Sequence, residues 1–349
     1  MKQAFNWPKI SIIVLTLNEE QYLTKCLQSV RRQKYPQKKI EIIVVDNGST
    51  DDSVRIAKSF GAKVTVNKKG DVYGNWAIAL HKATGDFTYM VDQDIELRGN
   101  KFFQKMLKPL IENKNIMASF TRKYPRKDQP SITRFISYHP AQCDPLYEFL
   151  TPSVEDSFIS KNKGYIMCKF TLGKVPPFGR QFYRIDFLKK TQSWKQVRVF
   201  DHDLVIKSIK KGYDLFAYVP SAGLFHHHAR NLKHLLNKRI RNLKMHYFPE
   251  NETTEYRWLD VHNKKDVAKM ILWIVYVNLI FPAFVRGVAR ALKHKDLVLL
   301  MEPIVALATT DVILFNFVVD KTGRSILTSS VRSLLGWNAV KKSKGAFGL

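Results

Sequence analysis

The sequence predicts an α/β fold, a doubly wound and mostly parallel sheet followed by an α-helical, membrane-associated C-terminal region. Three observations predict it. Apolar, β-branched runs alternate with segments of helical periodicity through the first half of the chain, the pattern of parallel strands joined by crossover helices. One of these runs, FTYMV at residues 87–91, delivers Asp92 and Asp94 to the point where a central strand would end. Beyond Ala229 the chain becomes basic and amphipathic, then carries two long apolar segments.

Composition sets the outer bounds. A chain of 349 residues can bury one large core or two smaller ones, and 45% hydrophobic residues exclude disorder for most of it. The formal net charge of +27 calls for an acidic partner: nucleic acid, anionic lipid or a phosphorylated substrate. Cys26, Cys143 and Cys168 have no paired spacing, so neither a disulfide framework nor a zinc site is indicated. The N-terminal apolar run is too short and too β-like for a secretory leader, which leads us to expect a cytosolic N-terminal domain.

Residues 9–16 (KISIIVLT) read as a strand buried on both faces. Tyr22, Leu23, Cys26, Leu27 and Val30 then recur at helical spacing, and Pro36 bounds the helix. Residues 40–45 (IEIIVV) form a second buried strand, after which Ser49 with Asp52 reads as a capping box opening a helix that ends near Gly61. Residues 63–66 give a short strand and residues 76–83 a short helix leading into the Asp-x-Asp strand. Right-handed crossovers bring the ends of such strands to one edge, so Asn18, Glu19, Asp46, Asn47 and Asp92 converge there. Two hard oxygen ligands one residue apart suit Mg²⁺ or Mn²⁺, although carboxylates at strand ends are also ordinary turn formers. No Gly-x-Gly-x-x-Gly follows the first strand and no Gly-x-x-x-x-Gly-Lys occurs, which disfavours a dehydrogenase or a P-loop enzyme.

Four segments in order, SIIVLTLNEEQYLTKCLQSV, EIIVVDNGSTDDS, ATGDFTYMVDQDIEL and VFDHDLVIKSIKKGYDLFAYVPSAGLFHHH, resemble a family 2 glycosyltransferase of the GT-A fold over residues 9–228. The resemblance implies that Asn18, Glu19 and Glu20, with Asp46 and Asn47, hold the base and ribose of a nucleotide-sugar donor. It also implies that Asp92 and Asp94 stand near the donor diphosphate and its metal, Mn²⁺ or Mg²⁺. Where the family carries an Arg-Asn and a Gly before the ATGD turn, this chain has Trp76, Ala77 and Ala79, so any contact that arginine makes is absent here or supplied from elsewhere.

The family's Glu-Asp-x-Asp-Leu signature maps its catalytic base onto Asp201, with Phe200 in place of the first acid. An inverting transfer needs such a carboxylate to take the acceptor's proton while a metal neutralises the departing diphosphate. Asp203 is the alternative base, or a helix cap for residues 204–211. The segment FGRQFYRIDFL resembles the family's acceptor-side lining, with Arg184 as its basic residue. The proline-rich residues 122–162 are expected to lack regular structure, as an acceptor-side lid or as an insertion packed on the sheet. Residues 101–113, 116–121 and 213–219 read as a helix and two strands.

At His226, His227 and His228, alternation along a strand lets His226 and His228 share a face. The resemblance makes His226 a third metal or phosphate contact; a polar strand end without metal is the alternative. From residue 230 to 247, Leu232, Leu235, Leu236, Ile240 and Leu243 alternate with lysines and arginines at helical spacing, as in a helix lying on an anionic membrane. Residues 270–285 and 297–319 are long enough, or nearly so, to span a bilayer. Basic residues flank both ends and fill the connection, against the positive-inside tendency, so re-entrant or interfacial helices are expected.

The chain thus divides into a catalytic domain (1–228), a basic interfacial helix and connector (229–262), and apolar helices with a basic tail (263–349). The function expected is transfer of a sugar from a nucleotide-diphosphate donor to a lipid-linked or polysaccharide acceptor at the cytoplasmic membrane face, with inversion. The same domain acting on a soluble acceptor is one alternative. A nucleic-acid-binding protein using the basic helix is another, and it leaves Asp46, Asp92 and Asp201 unexplained.

Overall fold

The computed structural model describes residues 6–68, 71–139, 145–173, 175–176, 179–191, 201–248, 259–260 and 263–334. A nine-stranded sheet runs through the molecule in the order β3-β2-β1-β4-β9-β6-β10-β8-β7. Its strands are β1 (Ile10–Thr16), β2 (Ile40–Asp46), β3 (Lys63–Val66), β4 (Phe87–Asp92), β6 (Ala118–Phe120), β7 (Phe158–Asn162), β8 (Tyr165–Lys169), β9 (Phe182–Arg184) and β10 (Leu215–Tyr218). The half built from β1 to β4 is parallel throughout, while β9 and β8 pair antiparallel with their neighbours. A two-stranded sheet joins β5 (Ile95–Leu97) to β11 (Leu224–His226).

The apolar runs form strands because both faces of the sheet are covered. On one face, Leu23, Leu27 and Val30 of α1 (Glu20–Arg31) and Phe103, Met106 and Leu110 of α4 (Phe102–Glu112) pack on Ile10, Ile12, Ile42 and Tyr89. On the other, Trp76 and Leu80 of α3 (Val72–Lys82) and Leu204 and Val205 of α8 (Asp201–Lys210) pack on Ile13, Ile43 and Met90. Asp71 starts α3 by accepting from the backbone N–H groups of Tyr73 and Gly74, four residues before the start read from the sequence.

The expected capping box at Ser49 and Asp52 does not form. Ser49 instead ties two loops together, its Oγ donating to Asp46 Oδ1 at 2.5 Å and accepting from the Asn18 N–H at 2.9 Å. Asp52 is the N-cap of α2 (Ser53–Ser59) without a side-chain cap bond, and Asp51 accepts from the Ser53 N–H. Residues 122–162 are more regular than their prolines suggest. They contribute α5 (Ser131–Ser137), α6 (Pro145–Leu150) and the edge strand β7.

Those two short helices seat the C-terminal region. Ile132, Phe135 and Ile136 of α5 pack on Leu235, Ala291, Leu299 and Val305, and Leu146 and Leu150 of α6 pack on Leu243, Trp273, Val277 and Ala306. The region comprises α9 (Leu232–Asn242), α10 (Lys264–Asn278), α11 (Phe281–His294), α12 (Glu302–Val319) and α13 (Lys321–Leu334). The apolar segment 270–285 is therefore two helices and not one. An 82° bend separates α10 from α11, where Ile280 takes a φ of 56° and Pro282 opens the next helix. Among the described residues, Leu297–Val319 is the one continuous helical stretch long and apolar enough to cross a bilayer by itself.

Candidate functional site

The parallel register builds the site. Thr16 lies beside Asp46, and Leu15 beside Asp92, so the loops after β1, β2 and β4 open on one edge of the sheet. After Asp92 the chain turns at Gln93 and Asp94 into β5, whose Ile95 pairs with His226 of β11. That small sheet carries a histidine to the acidic pair from 132 residues away. Ligand atoms of Asp92, Asp94 and His226 all lie within 4.8 Å of one another.

Asp94 and His226 are each in the form that binds a cation. Burial pushes His226 down to about 4 despite Asp94 Oδ2 at 3.3 Å, so its imidazole is neutral at pH 7. Burial alone would raise Asp94, but His226 and Lys238 outweigh it and hold the carboxyl well below the usual range. Asp94 Oδ1 is buried without a hydrogen-bond partner among the described residues. Two carboxylates and an imidazole converging around such an oxygen fit a divalent ion of the Mg²⁺ or Mn²⁺ type. His228 lies on the same face as His226, Nδ1 to Nε2 at 3.4 Å, while His227 on the other face stacks on Tyr22.

Around the triad opens a cleft of ≈ 600 Å³. Leu15, Leu17, Asn47, Val72 and Asn75 line the side of β1 and β2, and Lys123, Val154, Glu155 and Tyr218 another. Its remaining wall is α9 and the π-helical turn Leu243–Tyr247, which present His234, Lys238, Arg239, Arg241, Asn242 and Met245. The helix assigned from sequence to a membrane surface thus turns basic residues into the cleft. Lys238 Nζ donates to the His228 carbonyl at 2.5 Å and stands 3.9 Å from Asp94 Oδ2.

The remaining sequence-derived residues divide. Glu19 and Asn47 line the cleft, and Asn18, Glu19 and Glu20 line a smaller adjoining pocket with Asp51 and Arg230. Asn18 holds a left-handed φ of 48° there, and its Oδ1 accepts from the Thr50 N–H. Asp46 is fully buried, and both its oxygens bind groups of Gly48 and Ser49, so it builds the turn on which Asn47 stands. Asp201 opens α8, its side chain outside the described residues, and Asp203 lies in the same first turn.

The structure places Arg184 away from the triad. It pairs with Phe87 at the start of β4, and its guanidinium binds the Ile116, Leu110 and Asn113 carbonyls at the edge opposite the triad. The cationic residue of that segment in the cleft is Arg180, whose Nη2 contacts Asp92 Oδ2. The signal was the strand register. Phe182 pairs with Tyr89 antiparallel, so stepping back from 182 leads toward Asp92 and stepping forward to 184 leads away.

A cleft at the carboxyl ends of parallel strands, holding an acid pair and an imidazole on one point, marks the class of α/β proteins that bind a ligand at the strand-end crevice. Residues 11–182, just under half of the chain, match the model of Glycosyl transferase family 2. A segment is 34% identical over 92 residues to the poly(ribitol-phosphate) beta-N-acetylglucosaminyltransferase TarS of Staphylococcus aureus, covering 25% of this chain and 16% of that one. Another is 39% identical over 89 residues to the uncharacterized glycosyltransferase RT0209 of Rickettsia typhi, covering 26% and 29%. The matched segments thus span less than a third of either relative. Among solved structures, the mannosyltransferase PcManGT of Pyrobaculum calidifontis, in complex with GDP-Man and Mn²⁺, aligns at TM-score 0.49 and 15% identity over 91% of this chain and 89% of that one.

Proposed function

We propose that the chain transfers a sugar from a nucleotide-diphosphate donor, with inversion, to a lipid-linked or polysaccharide acceptor at the cytoplasmic face of a membrane. The observation that carries this reading is the convergence of Asp92, Asp94 and His226 in a cleft of ≈ 600 Å³ at the strand-end edge. A divalent ion held there supplies charge neutralisation for a departing diphosphate. Asn47 and the loop from Asn18 to Glu20 would hold the nucleoside, and Gln93 fixes the loop by accepting from the Leu17 N–H at 2.8 Å. Asp201, or Asp203 in the same turn, would take the acceptor hydroxyl's proton. The basic wall from α9 suits an acceptor that carries phosphate, in keeping with a relative named for poly(ribitol-phosphate).

The membrane part of the proposal rests on the outer face of the C-terminal helices. Leu272, Leu279, Ile280, Phe281, Leu292, Leu297, Ile304 and Phe315 are all exposed there, a larger run of apolar surface than a soluble face needs. Lys264, Lys265, Lys293, Lys321 and Arg324 stand at the ends of the same helices, the charge pattern of an interfacial contact with anionic lipid.

The decisive experiment is thermal stability with UDP, GDP, CDP and dTDP, each with and without Mn²⁺. A nucleotide at about a hundred times its dissociation constant stabilises by roughly 2.7 kcal/mol, a shift of a few degrees. One nucleotide giving an ion-dependent shift supports the reading and names the base. No shift with any of them overturns it. Flotation with vesicles containing anionic lipid tests the membrane part, and failure to float favours a soluble acceptor.

A further inference from the structure

We propose that Arg180 is a positioning residue shared between the carboxylate of Asp92 and the donor's diphosphate, so that loading of the divalent ion switches it from the first to the second. This rests on the proposed reading of the Asp92, Asp94 and His226 cluster as the ion and diphosphate site.

The register of β9 fixes where Arg180 begins. Phe182 and Tyr183 are locked between β4 and β6, and Gln181 is buried beside them, which leaves Arg180 at the mouth of the cleft next to the end of β4. Its backbone is left-handed, with φ of 65°, a conformation that a non-glycine residue holds only when its surroundings impose it. From that point the guanidinium reaches Asp92 Oδ2. Asp92 is also one of the three ligand groups of the metal cluster. A guanidinium and a divalent ion on one carboxylate repel each other, so the two compete for it.

Among the described residues, Arg180 and Lys238 both form ion pairs with the acid pair. Lys238 also bonds the His228 carbonyl, and Arg180 reaches Asp92 with 29% of its side chain open to the cleft. On the facing side, the α3 residues that line the cleft, Val72 and Asn75, are uncharged. Displaced from Asp92, the Arg180 guanidinium would be placed to bind a phosphate group in the cleft through its forked donors, which suit phosphate oxygens.

The test uses the full chain with Arg180→Gly, which suits the positive φ, and Arg180→Lys, which keeps the charge. Free Mn²⁺ is followed by electron paramagnetic resonance without nucleotide, and binding of the preferred nucleoside diphosphate is followed by calorimetry with saturating Mn²⁺. The proposal expects Arg180→Gly to bind Mn²⁺ alone about five- to tenfold more tightly than the native chain, and the diphosphate at least tenfold more weakly. Arg180→Lys should fall between. Unchanged or weaker Mn²⁺ binding in Arg180→Gly, with diphosphate binding retained, would make the ion pair merely structural and overturn the proposal. A native chain that binds neither Mn²⁺ nor any nucleoside diphosphate overturns the site reading itself, an outcome distinct from the first.

Discussion

Oε2 of Glu302 accepts a hydrogen bond from Nη1 of Arg290 at 2.7 Å, which fixes a carboxylate with no solvent exposure at the start of an apolar helix. Arg286 binds the other oxygen at 2.7 Å and also reaches Glu148 of α6 at 3.1 Å, and Glu148 contacts His139. The C-terminal helices are thus attached to α6 and the end of α5 by charge as well as by apolar packing. Removing one partner of a buried pair leaves the others uncompensated. Glu302→Ala should cost about 3–5 kcal/mol. Denaturant unfolding measures the loss, and hydrogen exchange should place it in α11 and α12 while nucleotide binding at the strand ends persists.

Glu148 makes the same attachment sensitive to acid. Burial would raise its pKa, but the His139 hydrogen bond, with His139, Arg286 and Arg290 nearby, pulls it down to about 2. The unfolded chain, with an ordinary carboxyl near 4.5, then binds more protons than the folded one between those values, so stability rises with pH across that window. The contribution is complete above pH 4.5 and is lost as pH falls toward 2. In Tm measured against pH, Glu148→Gln should lower the plateau and flatten the slope below pH 4.5.

Removal of the ion, or of its ligands, should act on chemistry and on binding together. Chelation, Asp94→Asn or His226→Ala is expected to abolish ion-dependent stabilisation by nucleotide and to lower kcat at least a hundredfold, about 2.7 kcal/mol of barrier. Steady-state rates with added Mn²⁺ check this, since the ion should rescue the chelated native chain and not the variants.

The two acids at the start of α8 are separable by kinetics. Asp201→Asn should reduce kcat by about 10²–10⁴ with the KM for donor nearly unchanged, as expected for loss of a general base. Asp203→Asn should change kcat by less than tenfold. A reversal of these two outcomes would move the base to Asp203.

The strands that carry the site were legible because both faces of the sheet are covered, which leaves β1, β2 and β4 as unbroken apolar runs ending in polar residues. The pairing of His226 with Asp94 was legible only through resemblance, because β5 and β11 are three residues each and too short for any periodicity. Arg180 was missed in favour of Arg184 for a related reason. The sequence shows two arginines four residues apart, and the antiparallel insertion of β9 between β4 and β6 decides which one reaches the cleft. In α9 the periodicity correctly marked an amphipathic helix, but periodicity does not say what the charged face meets. Pro282 marks an interruption of the apolar run in the sequence, but hydropathy continues through Ile280 and gives no measure of the 82° by which the backbone turns there.

The wall that α9 contributes has a consequence for how such enzymes diversify. It follows the segment matched to the family, and it stands on the same core as the helices with the exposed apolar face. A chimera joined after His228 would therefore exchange the cleft lining and the exposed apolar surface in one recombination event. On the proposed function, acceptor choice and cellular address would be inherited together, and neither could drift far without the other.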